Sequence, residues 1–408
     1  MKKKIVIVGA GHAGGRVAQI LAASDHDLDI TLIGRESVPP YNRPPLSKGV
    51  LLGKSQLEDC LLWRPEDTAW DKVRFLSGTA AKSIQIESRT LLLDDGTKIS
   101  YDSLVLATGS RVRHLTVPGS EAEGVHVLRT FKDAVKISRY FKTSKRLVIV
   151  GGGFIGLEIA AAASSIGLKT VVVEATERLL SRIAPRKIGD ALLSRHQRQG
   201  VEFRFSSMVE RFLLSSSGKL KGVLLSSGEY IRTNLAVMGV GVSAEGALAK
   251  SAGLEVDVGI RTGQSLETAV NGIFACGDCA SFWHPLFERH IRVEAWQNAE
   301  DHARVVASNI LGEEAACNAV PFFWSDQYEL SMQIVGLPHL ASSAIAKHLG
   351  ASTLLYHVDA LGRLVGTTGL GDSGDIGKHI RAARHAIAAR AHPRFSALQD
   401  GVAEDIFL

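Results

Sequence analysis

Two strand–glycine turn–helix–strand patterns, about 140 residues apart, predict an α/β chain with two Rossmann-like dinucleotide-binding domains, the second inserted in the first. Near residue 313 the sequence turns aromatic and alternating, which predicts an additional C-terminal mixed α/β domain. The expected division is 1–112 with 241–312 for the first domain, 113–240 for the inserted one, and 313–408 for the last.

The inserted copy is the clearer of the two. An apolar run, Leu147-Val148-Ile149-Val150, meets Gly151-Gly152-Gly153-Phe154-Ile155-Gly156, then helical sequence to Gly167, then Thr170 to Val173 and Glu174. Gly151 suits the tight turn, Gly153 lets a pyrophosphate approach the backbone, and Gly156 lets the helix pack closely on the strand. Free N–H groups at the helix start would hold phosphates. Glu174, 23 residues after Gly151, is placed to accept hydrogen bonds from an adenosine ribose. The first copy runs from Lys4-Ile5-Val6-Ile7-Val8 into Gly9-Ala10-Gly11-His12-Ala13-Gly14, with a helix to about Ala23, a strand over Asp29 to Ile33, and Glu36 beyond it. One nucleotide needs one such site. Two sites in an oxidoreductase point to a flavin and a nicotinamide dinucleotide.

The remaining elements follow in order. Pro39 to Lys48 holds four prolines, so it is a rigid loop, with Ser47 placed to cap a short helix. Lys48 has the reach to meet a flavin's ring edge, and Arg43 suits a phosphate or the surface. Residues 72–107 alternate, with a hairpin turning at Asp94-Asp95-Gly96. The strand ending at Ala107-Thr108-Gly109 returns small residues towards a bound dinucleotide. An extended piece carries Arg129, and helices are expected at 131–142 and 185–199. Leu235 to Gly241 re-enters the second sheet. A strand ending at Gly277-Asp278, with a helix soon after, offers the Asp278 carboxylate to a ribityl hydroxyl. A helix from about Gln297 to Leu311 has Ala303, Val306 and Ile310 on its apolar stripe. Its N-terminus suits the negative charge of a reduced flavin, and Trp296 before it is a candidate to stack on the ring. The last domain opens with Val320 to Tyr328, continues in strands over 330–335, 343–347, 354–357 and 363–368, and ends in a helix over 373–391. That helix carries Lys378, Arg381 and Arg384, either a solvated face or a docking patch for an acidic carrier.

Composition excludes several classes. Forty-seven basic residues against 42 acidic ones favour an acidic partner only mildly, and no basic tract argues for nucleic acid. No run of 18 apolar residues supports a membrane span. The N-terminal apolar run is cut short by its glycine turn, against a signal peptide, so a cytoplasmic location is expected. Four cysteines are too few for a disulfide framework. Cys276 and Cys279 are spaced as a dithiol, yet lie in a strand-end motif without a second pair. They are expected to be passive, and no metal is expected.

With these segments on the page, the chain resembles the ferredoxin reductases of bacterial oxygenase systems, flavoproteins with a glutathione-reductase-like fold. The resemblance rests on Arg43-Pro44-Pro45-Leu46-Ser47-Lys48, Leu104 to Gly109, Gly151 to Glu158, Gly277-Asp278-Cys279-Ala280 and Phe323 to Tyr328. It implies an FAD site at Gly9, Gly11, Ala13, Gly14, Glu36, Arg43, Lys48, Ala81, Ala107, Thr108, Gly109, Arg129, Asp278 and Trp296. It implies an NADH site at Gly151, Gly153, Ile155, Gly156, Glu174, Arg182 and Gly241. Lys48, Trp296 and Trp324 are the expected working side chains, and the loop Phe323 to Gln327 is expected beside the flavin and the partner. Two departures stand out: Arg35 where members often have an acid, which leaves the ribose to Glu36, and Ser243-Ala244-Glu245 in place of the usual Pro-Asn.

The implied reaction runs from NADH through FAD to an acidic [2Fe–2S] ferredoxin, which serves a terminal oxygenase in turn, in a monomer or homodimer. Other acceptors, namely rubredoxin, a quinone or a disulfide, remain as alternatives, as does a redox-sensing interaction protein. A disulfide reductase would carry cysteines between Pro39 and Val50, and there are none.

Overall fold

The computed structural model describes residues 2–64 and 66–392. The end of the expected last domain, beyond residue 392, lies outside them. The described residues pack as two compact units: those within 2–42, 57–111 and 242–321 form one, and those within 43–56, 112–241 and 322–392 the other.

In the first unit, Lys3–Val8 sits at the centre of a five-stranded sheet, between Ser103–Leu106 and Leu28–Gly34, with Ile273–Ala275 and Val73–Ser77 at the edges. Every pairing is parallel. Such strands are covered on both faces, and their unbroken apolar sequence agrees: Ile5 to Val8 and Leu104 to Leu106 are all buried. The second unit repeats the plan. Arg146–Val150 lies between Lys169–Val173 and Ala236–Met238, flanked by Glu202–Arg204 and Val125–Val127, again all parallel. Each sheet is accompanied by a three-stranded meander, at 81–100 and at 209–232. The copies differ at one edge. The strand Val125–Val127 comes from before its fingerprint, whereas Ile273–Ala275 comes from far after.

The second unit also holds a five-stranded antiparallel sheet, ordered Phe322–Gln327, Leu330–Gly336, Leu364–Gly371, Ser352–Val358, Ser343–Leu349. The helix Ser373–Ala388 lays Ile376, Ile380, Ala383 and Ile387 on it, an amphipathic spacing that leaves Lys378 and Arg381 exposed and Arg384 half-buried. Asp372 caps the helix, accepting from the N–H groups of Gly374 and Asp375 at 2.8 and 3.3 Å.

Three expectations need correction. Ser47 closes the short 3₁₀ turn Pro44–Ser47 rather than capping a helix start, because its hydroxyl is drawn to Glu158. Phe323 to Gln327 is an edge strand, not a loop, and its pleat sends Ser325 and Gln327 into the interior. After Asp278 the chain makes one 3₁₀ turn, Gly277–Cys279, and then the strand Ala280–His284, which pairs in parallel with Ile260–Thr262.

Candidate functional site

In the first unit the glycine turn is closed by backbone contact. Gly9 has φ +113°, and a Cβ there would lie 2.2 Å from the Ala107 carbonyl oxygen. A Cβ on Gly14 would lie 2.0 Å from the Gly9 oxygen, so the helix His12–Ala23 can seat itself on the strand only through glycine. A Cβ on Gly277 would lie 2.9 Å from that of Ala13, which brings the Asp278 turn to the same helix start. Half-buried Asp278 accepts from the Ser110 hydroxyl at 2.6 Å. Beside it, His302 holds the turn. Burial drives its pKa down to about 3, so the ring stays neutral and Nδ1 accepts the Gly277 N–H at 3.1 Å. Thr108 donates to the Glu245 carbonyl at 2.6 Å, and Gly109 takes φ +70°. Glu36 accepts from Tyr41 at 2.6 Å, and Ala81 opens its strand half-buried.

Trp296 is the first residue of the helix Trp296–Leu311. Its indole donates to Asn42 Oδ1 at 2.9 Å, and its ring lies 4.9 Å from that of His12. Glu300, one turn along, meets His12 Nε2 at 2.7 Å and Arg16 Nε at 2.8 Å. Sequence reasoning overlooked this brace on Trp296.

The second unit builds its turn in the same manner. Gly151 has φ +111°, and a Cβ on Gly156 would lie 2.2 Å from the Gly151 oxygen. Space above Gly153 is open within 4 Å. Ile155 is 46% exposed at the helix start. Glu174 accepts from the Gly152 N–H at 2.6 Å and from the Thr176 N–H and hydroxyl, both at 2.8 Å. Arg178 is committed to three carbonyls, Leu179, Ser181 and Ala184. Arg182 is exposed, 4.0 Å from the Cβ position of Gly241.

Arg43, Lys48, Arg129 and Trp324 also belong to this unit. Arg43 donates to the Arg129 carbonyl. Lys48 pairs with Glu158 at 2.9 Å, and Glu158 is only 7% exposed on the helix Phe154–Ser165. Nine of that helix's twelve residues are buried, and Glu158 is its one charged side chain. A lone acid inside an apolar helix was the signal to follow. Trp324 faces the other side of its strand, stacked on Phe322 with centroids 6.0 Å apart.

Both glycine turns fit a dinucleotide. The helices His12–Ala23 and Phe154–Ser165 start at Gly11 and Gly153 with no side-chain cap and no acid in the first turn. Their first N–H groups are therefore available to phosphate oxygens. Both fingerprint helices are long enough for the macrodipole to favour that charge.

Cys276 and Cys279 are free, completely buried thiols, and burial pushes both pKa values up. Cys279 donates to the carbonyls of Leu106 and Cys276, each at 3.3 Å. A thiol so placed is a poor nucleophile. Reductive titration should therefore consume two electrons per FAD-loaded chain, and uptake of four would assign these cysteines a redox role.

The chain matches the family model described as pyridine nucleotide-disulphide oxidoreductase over residues 3–303, and that described as reductase C-terminal over residues 322–404. It is 36% identical to the ferredoxin–NAD(+) reductase component of the anthranilate 1,2-dioxygenase system of Burkholderia cepacia, over 97% of this chain and 96% of that one. It is 37% identical to putidaredoxin reductase of Pseudomonas putida, over 82% and 80%. Among solved structures, the covalent putidaredoxin reductase–putidaredoxin complex matches with a TM-score of 0.94 and 32% identity, covering 99% of this chain and 98% of that one. The family depends on FAD and NAD(P)H. By its two glycine turns, its antiparallel C-terminal sheet and this full-length similarity, the chain belongs to the pyridine nucleotide-disulphide oxidoreductases, in the group of the ferredoxin–NAD(+) reductases.

Proposed function

We propose that this protein is a cytoplasmic NADH-dependent reductase that passes electrons through FAD to an acidic [2Fe–2S] ferredoxin serving an oxygenase. The observation that carries this reading is a duplicated dinucleotide fold whose cysteines are buried, beside a C-terminal domain shared along its length with ferredoxin reductases. Bound FAD accepts a hydride as an electron pair and releases the electrons singly. The first unit supplies the FAD cradle, with N–H groups of the Gly9–Gly14 turn for the pyrophosphate, Glu36 for the ribose and Asp278 with Ser110 for the ribityl chain. The uncapped start of the helix Trp296–Leu311 offers partial positive charge to the ring. The 112–241 segment supplies the NADH cradle, and 322–392 the partner face. Lys48, paired with Glu158 at 2.9 Å, is the cation this reading assigns to the flavin ring.

The carrier must dock briefly and leave, so charge should act on encounter rate. Lys378 and Arg381 are the exposed cations of the last helix, and they make the better test because Arg384 is half-buried. In stopped flow, Lys378→Glu with Arg381→Glu should slow reduction of a [2Fe–2S] ferredoxin roughly tenfold at low salt, leaving flavin reduction by NADH unchanged. Unchanged ferredoxin reduction removes this helix from docking. A protein that retains no FAD, or reduces no [2Fe–2S] ferredoxin despite fast flavin reduction, overturns the function.

A further inference from the structure

Behind the Lys48–Glu158 pair lies a chain of buried polar side chains that the reaction outlined above does not use. Glu158 Oε1 meets Lys48 Nζ at 2.9 Å and the Ser325 hydroxyl at 2.7 Å, and Oε2 takes the Ser47 hydroxyl. Ser325 Oγ lies 3.1 Å from Gln327 Nε2, and Gln327 Oε1 lies 2.8 Å from His196 Nε2. His196 Nδ1 lies 3.0 Å from the Tyr328 hydroxyl, which lies 2.9 Å from Ser164 Oγ. Ser325, Gln327 and His196 are each 1% exposed or less. Ser325 and Gln327 are two apart on one strand, so the pleat turns both inward.

The hydrogens of this chain can be assigned outward from one end. A carboxylate only accepts, so Ser325 must give its proton to Glu158. Ser325 can then only accept from Gln327, which must present its NH₂ there and its oxygen to His196. His196 therefore carries its proton on Nε2, and Nδ1 accepts the Tyr328 hydroxyl. Burial holds the His196 pKa down to about 4, so near neutrality the ring has one donor and one acceptor, as this order needs. Gln327 also decides what the chain can do. An amide would have to tautomerise to pass a proton, so the row orients groups instead of conducting protons.

We propose that Ser325 and Gln327, oriented by His196, are positioning residues that aim the Glu158 carboxylate at Lys48 and thereby fix the Lys48 ammonium. This rests on the reading of Lys48 as the residue at the flavin edge. Without the row, Glu158 would keep its charge but lose its fixed direction, and the ammonium would wander with it. Breaking the row should therefore alter the rate at saturating NADH and leave the binding of NADH alone.

The test uses the FAD-loaded full chain. Ser325→Ala and Gln327→Leu should each lower kcat for NADH-driven flavin reduction roughly tenfold with KM for NADH unchanged. In a Lys48→Met background neither should cause any further loss, since the three act through one group. A readout independent of turnover is the ¹⁵N spectrum of His196, identified by its loss in His196→Asn. It should show protonated Nε2 and bare Nδ1 in the unaltered protein, and a tautomer mixture in Gln327→Leu. Additive losses, a fall in NADH affinity alone, or a proton on Nδ1 of the unaltered protein would overturn the row while leaving the reductase reading intact. An unaltered protein whose flavin takes no hydride from NADH overturns the reading beneath it.

Discussion

NADPH should reduce the bound flavin about 30 to 1000 times less efficiently than NADH, as the ratio of kcat/KM. A 2′-phosphate would approach Glu174, whose two oxygens are already directed by the N–H groups of Gly152 and Thr176. Those bonds fix the carboxylate where a ribose diol would donate to it. The phosphate brings like charge and no donor, a penalty of roughly 2–4 kcal/mol. Relief would need a nearby cation. Arg178 is held by three backbone carbonyls, so moving it would leave those oxygens to water or to nothing. Arg182 is exposed and is the one residue of the pair able to turn. Glu174→Ala should therefore narrow the preference mainly by weakening NADH. Comparable kcat/KM for the two cofactors in the unaltered protein would rule out Glu174 as the discriminator.

The second large effect separates the two cofactor sites. Gly14→Val should yield colourless protein, and Gly156→Val should yield yellow protein that NADH barely reduces. In each case a Cβ would sit within 2.2 Å of a backbone oxygen of the preceding turn, which no side-chain rotation can relieve. The helix must lift from its strand, and its N–H groups lose their aim at the pyrophosphate. Overpacking against backbone costs about 3 kcal/mol or more, equivalent to a fall of at least 100-fold in affinity for the ligand concerned. Absorbance of the purified proteins and NADH titration of the second variant read both outcomes. A colourless Gly156→Val with a yellow Gly14→Val would exchange the proposed sites.

Most of the fold could be read from the chain because its signals are local. The glycine turns at Gly9 and Gly151, the all-apolar strands beside them and the Asp94-Asp95-Gly96 hairpin each declare themselves within a dozen residues. The positions of Glu36 and Glu174 near strand ends follow from the same repeat, and that of Asp278 from the apolar strand just before it. What escaped was non-local. Ser47, Glu158, Ser325 and His196 are far apart in sequence, and only packing reveals that the Glu158 carboxylate gathers the hydroxyls of Ser47 and Ser325. Phe323 to Gln327 reads as a loop because its aromatic composition masks a period of two. The pleat divides the strand into a Phe322–Trp324 face and a Phe323–Ser325–Gln327 face. The 3₁₀ turn at Gly277 was missed for a related reason: His302, which holds it, lies 25 residues onward.

The unequal edges of the two parallel sheets bear on how the chain is made. The inserted sheet draws all its strands from 125–238, so it can close as soon as that segment leaves the ribosome. The first sheet cannot. Its edge strand Ile273–Ala275 follows Ser103–Leu106 by 167 residues, counted from 106 to 273. At roughly 5–20 residues per second, that is a wait of about ten to thirty seconds. Throughout it the apolar strand Ser103–Leu106 is the rim of an unfinished sheet, with backbone groups open to pairing with another nascent chain. Vectorial synthesis thus favours the inserted domain closing first, while the domain that carries the first glycine turn is completed later.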